Sequence, residues 1–175
     1  MIAISGLPGA GTSTIAKLLA KKLGLKYFSP GDYFKSFSEK TSQTEKAIDV
    51  FQSGKGKSKK FHEKIDEMQL KLAKQGNIVL CGKLSIYMLK DIADYKIWVE
   101  CSLEERAKRT ANRDGISLEE ALEALRKREE MEVEEWKKDY GFDYRKQKEM
   151  ADFVIDNTFL NESETLEKIL NFINR

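Results

Sequence analysis

Proline is nearly absent from this 175-residue chain: Pro8 and Pro30 are the only two, so no linker is expected to separate domains. One domain of this length is large enough to build a real hydrophobic core. Histidine is scarcer still. His62 stands alone between basic and apolar residues, with no cysteine or acidic cluster beside it in the sequence. That argues against a zinc site and for a surface position. Cysteine is limited to Cys81 and Cys101, each in a short apolar run. Paired strands can bring them close, but two buried free thiols in a reducing compartment are the expectation. No apolar stretch approaches the roughly 18 residues of a membrane span. The apolar N-terminus carries no basic leader and its glycines run straight into a motif, so no signal peptide and a cytoplasmic location are expected. Net charge is also close to absent: 31 basic residues against 29 acidic ones leave +2. This excludes a global nucleic-acid signature and makes any anion site a local one.

What is present is an alternation of strands and helices. Met1 to Ser5 is a short apolar run stopping at Gly6. Further strand-like runs are Leu25–Phe28, Asn77–Cys81, Tyr95–Cys101 and Phe153–Asp156. Between them lie helical patterns. The first starts at Thr12 with Ile15, Leu18, Leu19 and Leu23, and Gly24 terminates it. A second starts near Asp32, with Tyr33, Phe34 and Phe37 on its apolar side. The next runs from Phe61 to Lys74 through Ile65, Met68 and Leu72. Ser102 and Ser117 open two more, with Glu105 and Glu120 placed for capping boxes, and Glu162–Asn174 is the last. This order predicts an α/β fold with a parallel sheet covered on both faces. Residues 39–60 are the least apolar part of the chain, and Ser53-Gly54-Lys55-Gly56-Lys57-Ser58 reads as a mobile, basic connector. No apolar strand precedes it, so it is not a second phosphate loop.

Gly6-Leu7-Pro8-Gly9-Ala10-Gly11-Thr12-Ser13-Thr14 has the spacing of a Walker A loop between a strand and a helix. Its glycines let successive backbone N–H groups converge on an anion, and the helix that follows adds its positive N-terminal end. Ser13 or Thr14 can orient Mg²⁺, directly or through water. A glycine-rich turn that binds nothing is the alternative, and it does not call for three glycines, a proline and three hydroxyls in this context. One feature departs from the motif: Thr12 occupies the position of its lysine, so charge for the β- and γ-phosphates must come from elsewhere. Lys17, on the helix, points roughly away from the loop and reads as solvated.

The same segment resembles the nucleoside monophosphate kinases, in particular the archaeal-type cytidylate kinases, in which a threonine at the lysine position is the usual state. The resemblance extends through Ser29–Lys35, Ile65–Gln69, Leu72–Leu80, Gly82-Lys83-Leu84, Gly115–Leu122, Arg126–Glu130, Tyr140–Asp143 and Val154–Asn157. It implies a P-loop NTPase fold: a five-stranded parallel sheet flanked by helices, with a helical monophosphate-binding insert at about 30–76 and a lid at about 113–145. It also implies transfer of the ATP γ-phosphate to CMP or dCMP with Mg²⁺. ATP and a nucleoside monophosphate would be the partners, with no nucleic acid or membrane, and the protein a monomer. Under that resemblance Gly6 to Thr14 bind ATP, and Ser13 and Thr14 serve the metal. Asp32, Lys35 and Lys83 bind the acceptor, and Arg109, Arg113 and Arg128 are catalytic.

Four positions depart from the family's pattern. Lys35 and Lys83 replace arginines that grip the acceptor phosphate, and lysine lacks the planar fork. Cys81 replaces an acidic residue near the metal, and Glu135 stands near the position of a phosphate-binding arginine. These changes fall on the acceptor side more than on the donor side. They keep two other readings open: a kinase for another small acceptor such as AMP, and a nucleotide-binding regulator that has lost efficient transfer. On spacing alone, Arg109 and Arg113 also fit a solvated helix face paired with Glu105. Arg126 and Arg128, beside Glu129, Glu130 and Glu132, fit surface ion pairs. Trp98 is expected in the core, and Trp136 and Tyr140 as lid packing.

Overall fold

The computed structural model describes residues 1–54 and 58–174. Strands β1 (Ile2–Gly6), β2 (Lys26–Phe28), β3 (Ile78–Cys81), β4 (Tyr95–Glu100) and β5 (Phe153–Asp156) form one sheet in the order β2-β3-β1-β4-β5. Every pairing is parallel. All five residues of β1 are buried, because a central parallel strand is covered on both faces and must read as a continuous apolar run. From β1 the chain runs to β2 and β3 on one side and then to β4 and β5 on the other. That reversal puts the carboxyl end of β1 at the crevice where open α/β sheets hold ligands.

Helices α1 (Thr12–Leu23) and α8 (Glu162–Ile173) cover one face, where Ile15, Leu19 and Ile169 pack on Ile4, Val79, Ile97, Val99 and Ile155. The other face is covered by α2 (Pro30–Lys35), α4 (Lys59–Ala73), α5 (Ser85–Met88), α7 (Leu118–Tyr140) and a 3₁₀ helix, Tyr144–Met150. There Phe34, Ile65, Ile86, Leu89, Trp136 and Tyr144 meet Leu80 and Trp98. Helix α6 (Leu103–Asp114) joins α7 through Ala107, Ala121 and Leu125.

Several expectations need correction. The polar stretch 39–60 contains a helix, α3 (Gln43–Gln52), whose start is fixed by Ser42 accepting a hydrogen bond from the Glu45 amide. Its buried face among the residues described is Thr44, Ala47 and Val50, and with a polar residue among three small ones it does not register as an apolar helical period. The connector expectation for Lys55, Gly56 and Lys57 lies outside the described residues. Ser102 caps α6, but Glu105 turns to Arg109 and does not close the box, whereas Ser117 and Glu120 form a complete one. His62 is buried, at 4% exposure, because α4 turns it inward against Phe34 and Trp136. The cysteines are both free and buried. No described helix is long and apolar enough to cross a membrane.

Candidate active site

The loop after β1 is shaped by contacts that only glycine permits. Gly6 pairs with Val99 on β4, and a Cβ there would sit 2.4 Å from the Val99 carbonyl oxygen. Gly9 and Gly11 adopt φ of 81° and 83°, the left-handed region that side chains disfavour. Three carbonyls of this segment are held by side chains from three other elements. Lys83 Nζ donates to Gly6 O at 2.8 Å, Arg106 to Pro8 O at 3.0 Å, and Asn157 Nδ2 to Ala10 O at 2.9 Å. With those carbonyls occupied, the loop amides are left to face an anion. Gly11 caps α1 without a side-chain bond, so the first N–H groups of that helix add to the same site.

Below the loop, the Thr12 and Ser13 side chains border the same cavity as the Cys81 thiol. Burial pushes that thiol up to about 11, so it stays protonated at neutral pH and offers no thiolate to a metal. The Asp32 carboxylate shares a smaller adjoining cavity with Ser13 and Thr14 as well as the main one. Tyr27 donates to it at 3.1 Å, with Lys35 at 3.1 Å and Lys17 at 3.6 Å. Burial alone would raise the Asp32 carboxyl, but Lys35, Tyr27 and Lys17 hold it below its ordinary value. Lys17 therefore has a partner, although it is more exposed than buried. Two hydroxyls and a carboxylate are hard oxygen donors, a set that suits Mg²⁺.

The cations gather between α2, α6 and α7. Arg109 donates to Glu105 at 3.0 Å, to Asn157 Oδ1 at 3.0 Å and to Asn157 O at 2.8 Å. It is locked beside Gly11 rather than loose on a helix face. Arg113 grips Asp114 through two nitrogens, at 2.7 and 2.8 Å, and donates to Thr44 on α3 at 3.0 Å. Ser42 donates to the same Asp114. Burial works against the Asp114 carboxylate, yet Arg113 and Ser42 bring it down to about 2. Arg128 bonds Glu132 at 2.8 Å, and Lys83 lies 3.5 Å from the other Glu132 oxygen. The surface-pair reading of Arg128 therefore fails at its partner, because Glu132 is 1% exposed. Lys35 donates to Gln43 on α3 at 2.9 Å.

Beyond the cations the walls become aromatic and acidic. His62 stacks on Phe34, with centroids 5.8 Å apart, and meets Trp136 edge-on at 5.0 Å. Trp136 packs against Tyr140, whose hydroxyl donates to Asp66. His62, Glu135 and Asp139 each bring one ligand-type atom within 4.8 Å of the others, so the acidic company that His62 lacks in sequence is supplied by the fold. Gln69, buried at 1% exposure, accepts from Ser85 Oγ at 2.5 Å.

Much of this arrangement lines one cavity of about 820 Å³. It brings together Gly6, Leu7, Pro8, Gly9, Gly11, Thr12, Ser13 and Thr14 with Asp32, Lys35, Lys83, Arg109, Arg113 and Arg128. Ala10 is fully buried and does not line it. Sequence reasoning gives no site role to Glu132 and Gln69, and reads Arg106 and Asn157 only as parts of the arm leading to the lid and of the loop after the last strand. A signal existed for Glu132: it lies on the stripe of Ala121, Leu125 and Trp136 that α7 buries, where a charge needs partners. Such a cavity can hold a polyphosphate at one end and a ring system at the other, with cations between them.

Comparison with known proteins agrees with this geometry. Residues 1–158 match the model of the cytidylate kinase-like family. The cytidylate kinase of Ignicoccus hospitalis is 37% identical over 169 residues, covering 97% of this chain and 96% of that protein. The cytidylate kinase of Sulfurisphaera tokodaii is 35% identical over 179 residues, covering 99% and 96%. Among solved structures, a shikimate kinase from Bacteroides thetaiotaomicron superposes with a TM-score of 0.63 at 15% identity, covering 99% of this chain and 98% of its own. A deoxyadenosine kinase from M. mycoides with bound dATP gives 0.56 at 23%, covering 99% of each. At these identities the two structures speak to the fold alone, that of P-loop NTPases.

Proposed function

The chain belongs to the cytidylate kinase-like family, and we propose that it transfers the γ-phosphoryl group of ATP to CMP or dCMP, releasing ADP and the diphosphate. The observation that carries this reading is the single cavity whose one end is a phosphate loop and whose other end is aromatic and polar, with Lys35, Lys83, Arg109, Arg113 and Arg128 in between. Phosphoryl transfer asks little covalent chemistry of a protein. It needs two substrates held in line and the charge on the transferring group neutralised.

The roles follow from position. Residues Gly6 to Thr14 bind ATP, with the amides of the loop and of α1 on its phosphates. Ser13 and Thr14, with Asp32 through water, would hold Mg²⁺, which supplies Lewis-acid neutralisation of the phosphate oxygens when bound. Helices α2 to α4 form the acceptor insert; Lys35 on α2 and Lys83 after β3 face the acceptor phosphate, and Asp32 orients Lys35. Arg109, Arg113 and Arg128, on α6 and α7, neutralise the transferring phosphoryl group from the lid side. Lid closure would exclude water and so suppress hydrolysis of ATP. A panel of nucleoside monophosphates with ATP-Mg, read by a coupled ADP assay, tests this. CMP and dCMP should give the highest kcat/KM, and the absence of acceptor-dependent ADP with every monophosphate would refute it.

A further inference from the structure

Helix α4 turns His62, Ile65, Gln69 and Ala73 inward. On the buried face of an amphipathic helix, apolar residues are the default and polar ones need partners. Gln69 has only half of its needs met: Oε1 accepts from Ser85, while its amide nitrogen makes no hydrogen bond among the described residues and the side chain borders the cavity. Asp66, one turn earlier on the same face, receives the Tyr140 hydroxyl on Oδ2 and also borders the cavity. One turn of helix thus presents an acceptor and a donor side by side, their Cβ atoms about 5–6 Å apart. Phe34 and Trp136 are neighbouring parts of the same wall.

Resting on the kinase reading above, we infer that Asp66 and Gln69 read the Watson–Crick edge of the acceptor base and select an amino-bearing ring over its oxo counterpart. Cytosine offers an N4 amino group to the free Asp66 oxygen, and its N3 or O2 to the Gln69 amide. Uracil reverses the first two positions, placing O4 against the carboxylate and N3–H against the amide hydrogens. The surroundings agree in sign. Asp66 and His62 line this end of the cavity, with Glu135 and Asp139 close to His62 behind it, whereas the cations are grouped at the phosphate end. An acidic end favours a ring that donates. A site built to hydrogen-bond a substrate rejects the analogue that leaves its buried groups mispaired.

The test is kcat/KM for CMP and UMP, with equilibrium binding of both monophosphates as a second readout, in wild type, Asp66→Asn, Gln69→Glu and the double variant. Tyr140 donates to Oδ2, so in Asp66→Asn the amide oxygen takes that bond and the NH₂ group turns to the base. The CMP-to-UMP ratio should fall at least about tenfold in Asp66→Asn and further in the double variant, with KM for ATP unchanged. Thermal unfolding at the wild-type temperature shows that Asp66→Asn, the isosteric change, is folded. Equal losses for CMP and UMP, or an unmoved ratio, would overturn the inference while leaving the kinase reading intact. Absence of turnover in wild type with any monophosphate removes the kinase reading, and the binding ratios then decide base reading alone.

Discussion

Asn157, just after β5, accepts a hydrogen bond from Arg109 on its side-chain oxygen while its side-chain nitrogen donates to the Ala10 carbonyl. One nearly buried amide thus couples the position of a lid-side arginine to the shape of the phosphate loop. Removing it would leave the Ala10 carbonyl without that donor and leave Arg109 held, among the described residues, only by Glu105 and the Asn157 backbone carbonyl. Asn157→Ala should therefore raise KM for ATP by about tenfold and lower stability by about 1–2 kcal/mol, the cost of an unsatisfied buried polar group. ATP titration and denaturant unfolding measure the two effects. An unchanged KM for ATP would mean that the loop holds its shape without this contact.

Glu132 poses a separate electrostatic problem. It is a buried carboxylate whose burial favours the neutral acid, yet Lys83 and Arg128 keep it ionised, with its carboxyl below the ordinary value. Glu132→Gln would strip two inward cations of their countercharge. Breaking a buried pair by removing one member costs roughly 3 kcal/mol, so the melting temperature of the ligand-free protein should drop. Phosphates can replace the missing charge. Saturating ATP should accordingly raise the melting temperature of Glu132→Gln by more than it raises that of wild type. Equal ligand-induced shifts would show that these cations do not meet nucleotide phosphate.

The donor half of this site is legible in the sequence because its determinants are local. A glycine spacing, three hydroxyls and a strand before a helix specify the loop without knowledge of what packs on it. The strands are legible for a similar reason, as short apolar runs bounded by turns. Helix α3 is not, since its inward face among the described residues is Thr44, Ala47 and Val50, small and partly polar, and its start rests on Ser42, one serine among several. The burial of His62 is a tertiary fact: it sits in a charged stretch, and only the packing of α4 on the sheet turns it in, whereas Glu132 falls on the stripe that α7 buries but shows its partners only in the fold. Lys83 is half legible. Its place after β3 draws attention, but its bond to the Gly6 carbonyl comes from β1 and β3 lying side by side.

Gly11 has space but not conformational freedom. A Cβ there would meet nothing closer than the Arg109 guanidinium at 3.9 Å, yet φ is +83°, which is costly for a β-branched residue. Gly11→Val should cost at least about 1–2 kcal/mol of stability and abolish measurable ATP binding, because relaxing φ re-aims the amides that follow. Calorimetric titration with ATP-Mg checks this. Wild-type affinity in that variant would remove the loop from the nucleotide site.

Lys83 sets an alkaline limit on the reaction. Burial lowers its ammonium to about 8, although Glu132 pulls in the opposite direction. In the unfolded chain a lysine titrates near 10.4. Between pH 8 and that value the unfolded state holds a proton that the folded state has lost, so this group's contribution to stability rises with pH. Its contribution to activity should run the other way, because the charge proposed to face the acceptor phosphate disappears as pH climbs through 8. The kcat/KM for CMP should fall on the alkaline side with an apparent pKa of about 8. Lys83→Arg, whose guanidinium stays charged, should flatten that limb, even if its larger fork lowers the plateau. Lys83→Met should lower the plateau roughly 100-fold or more by removing the charge proposed to face the acceptor phosphate. An alkaline limb that persists unchanged in Lys83→Arg would assign the titration to another group and leave Lys83 as a tether for the Gly6 carbonyl.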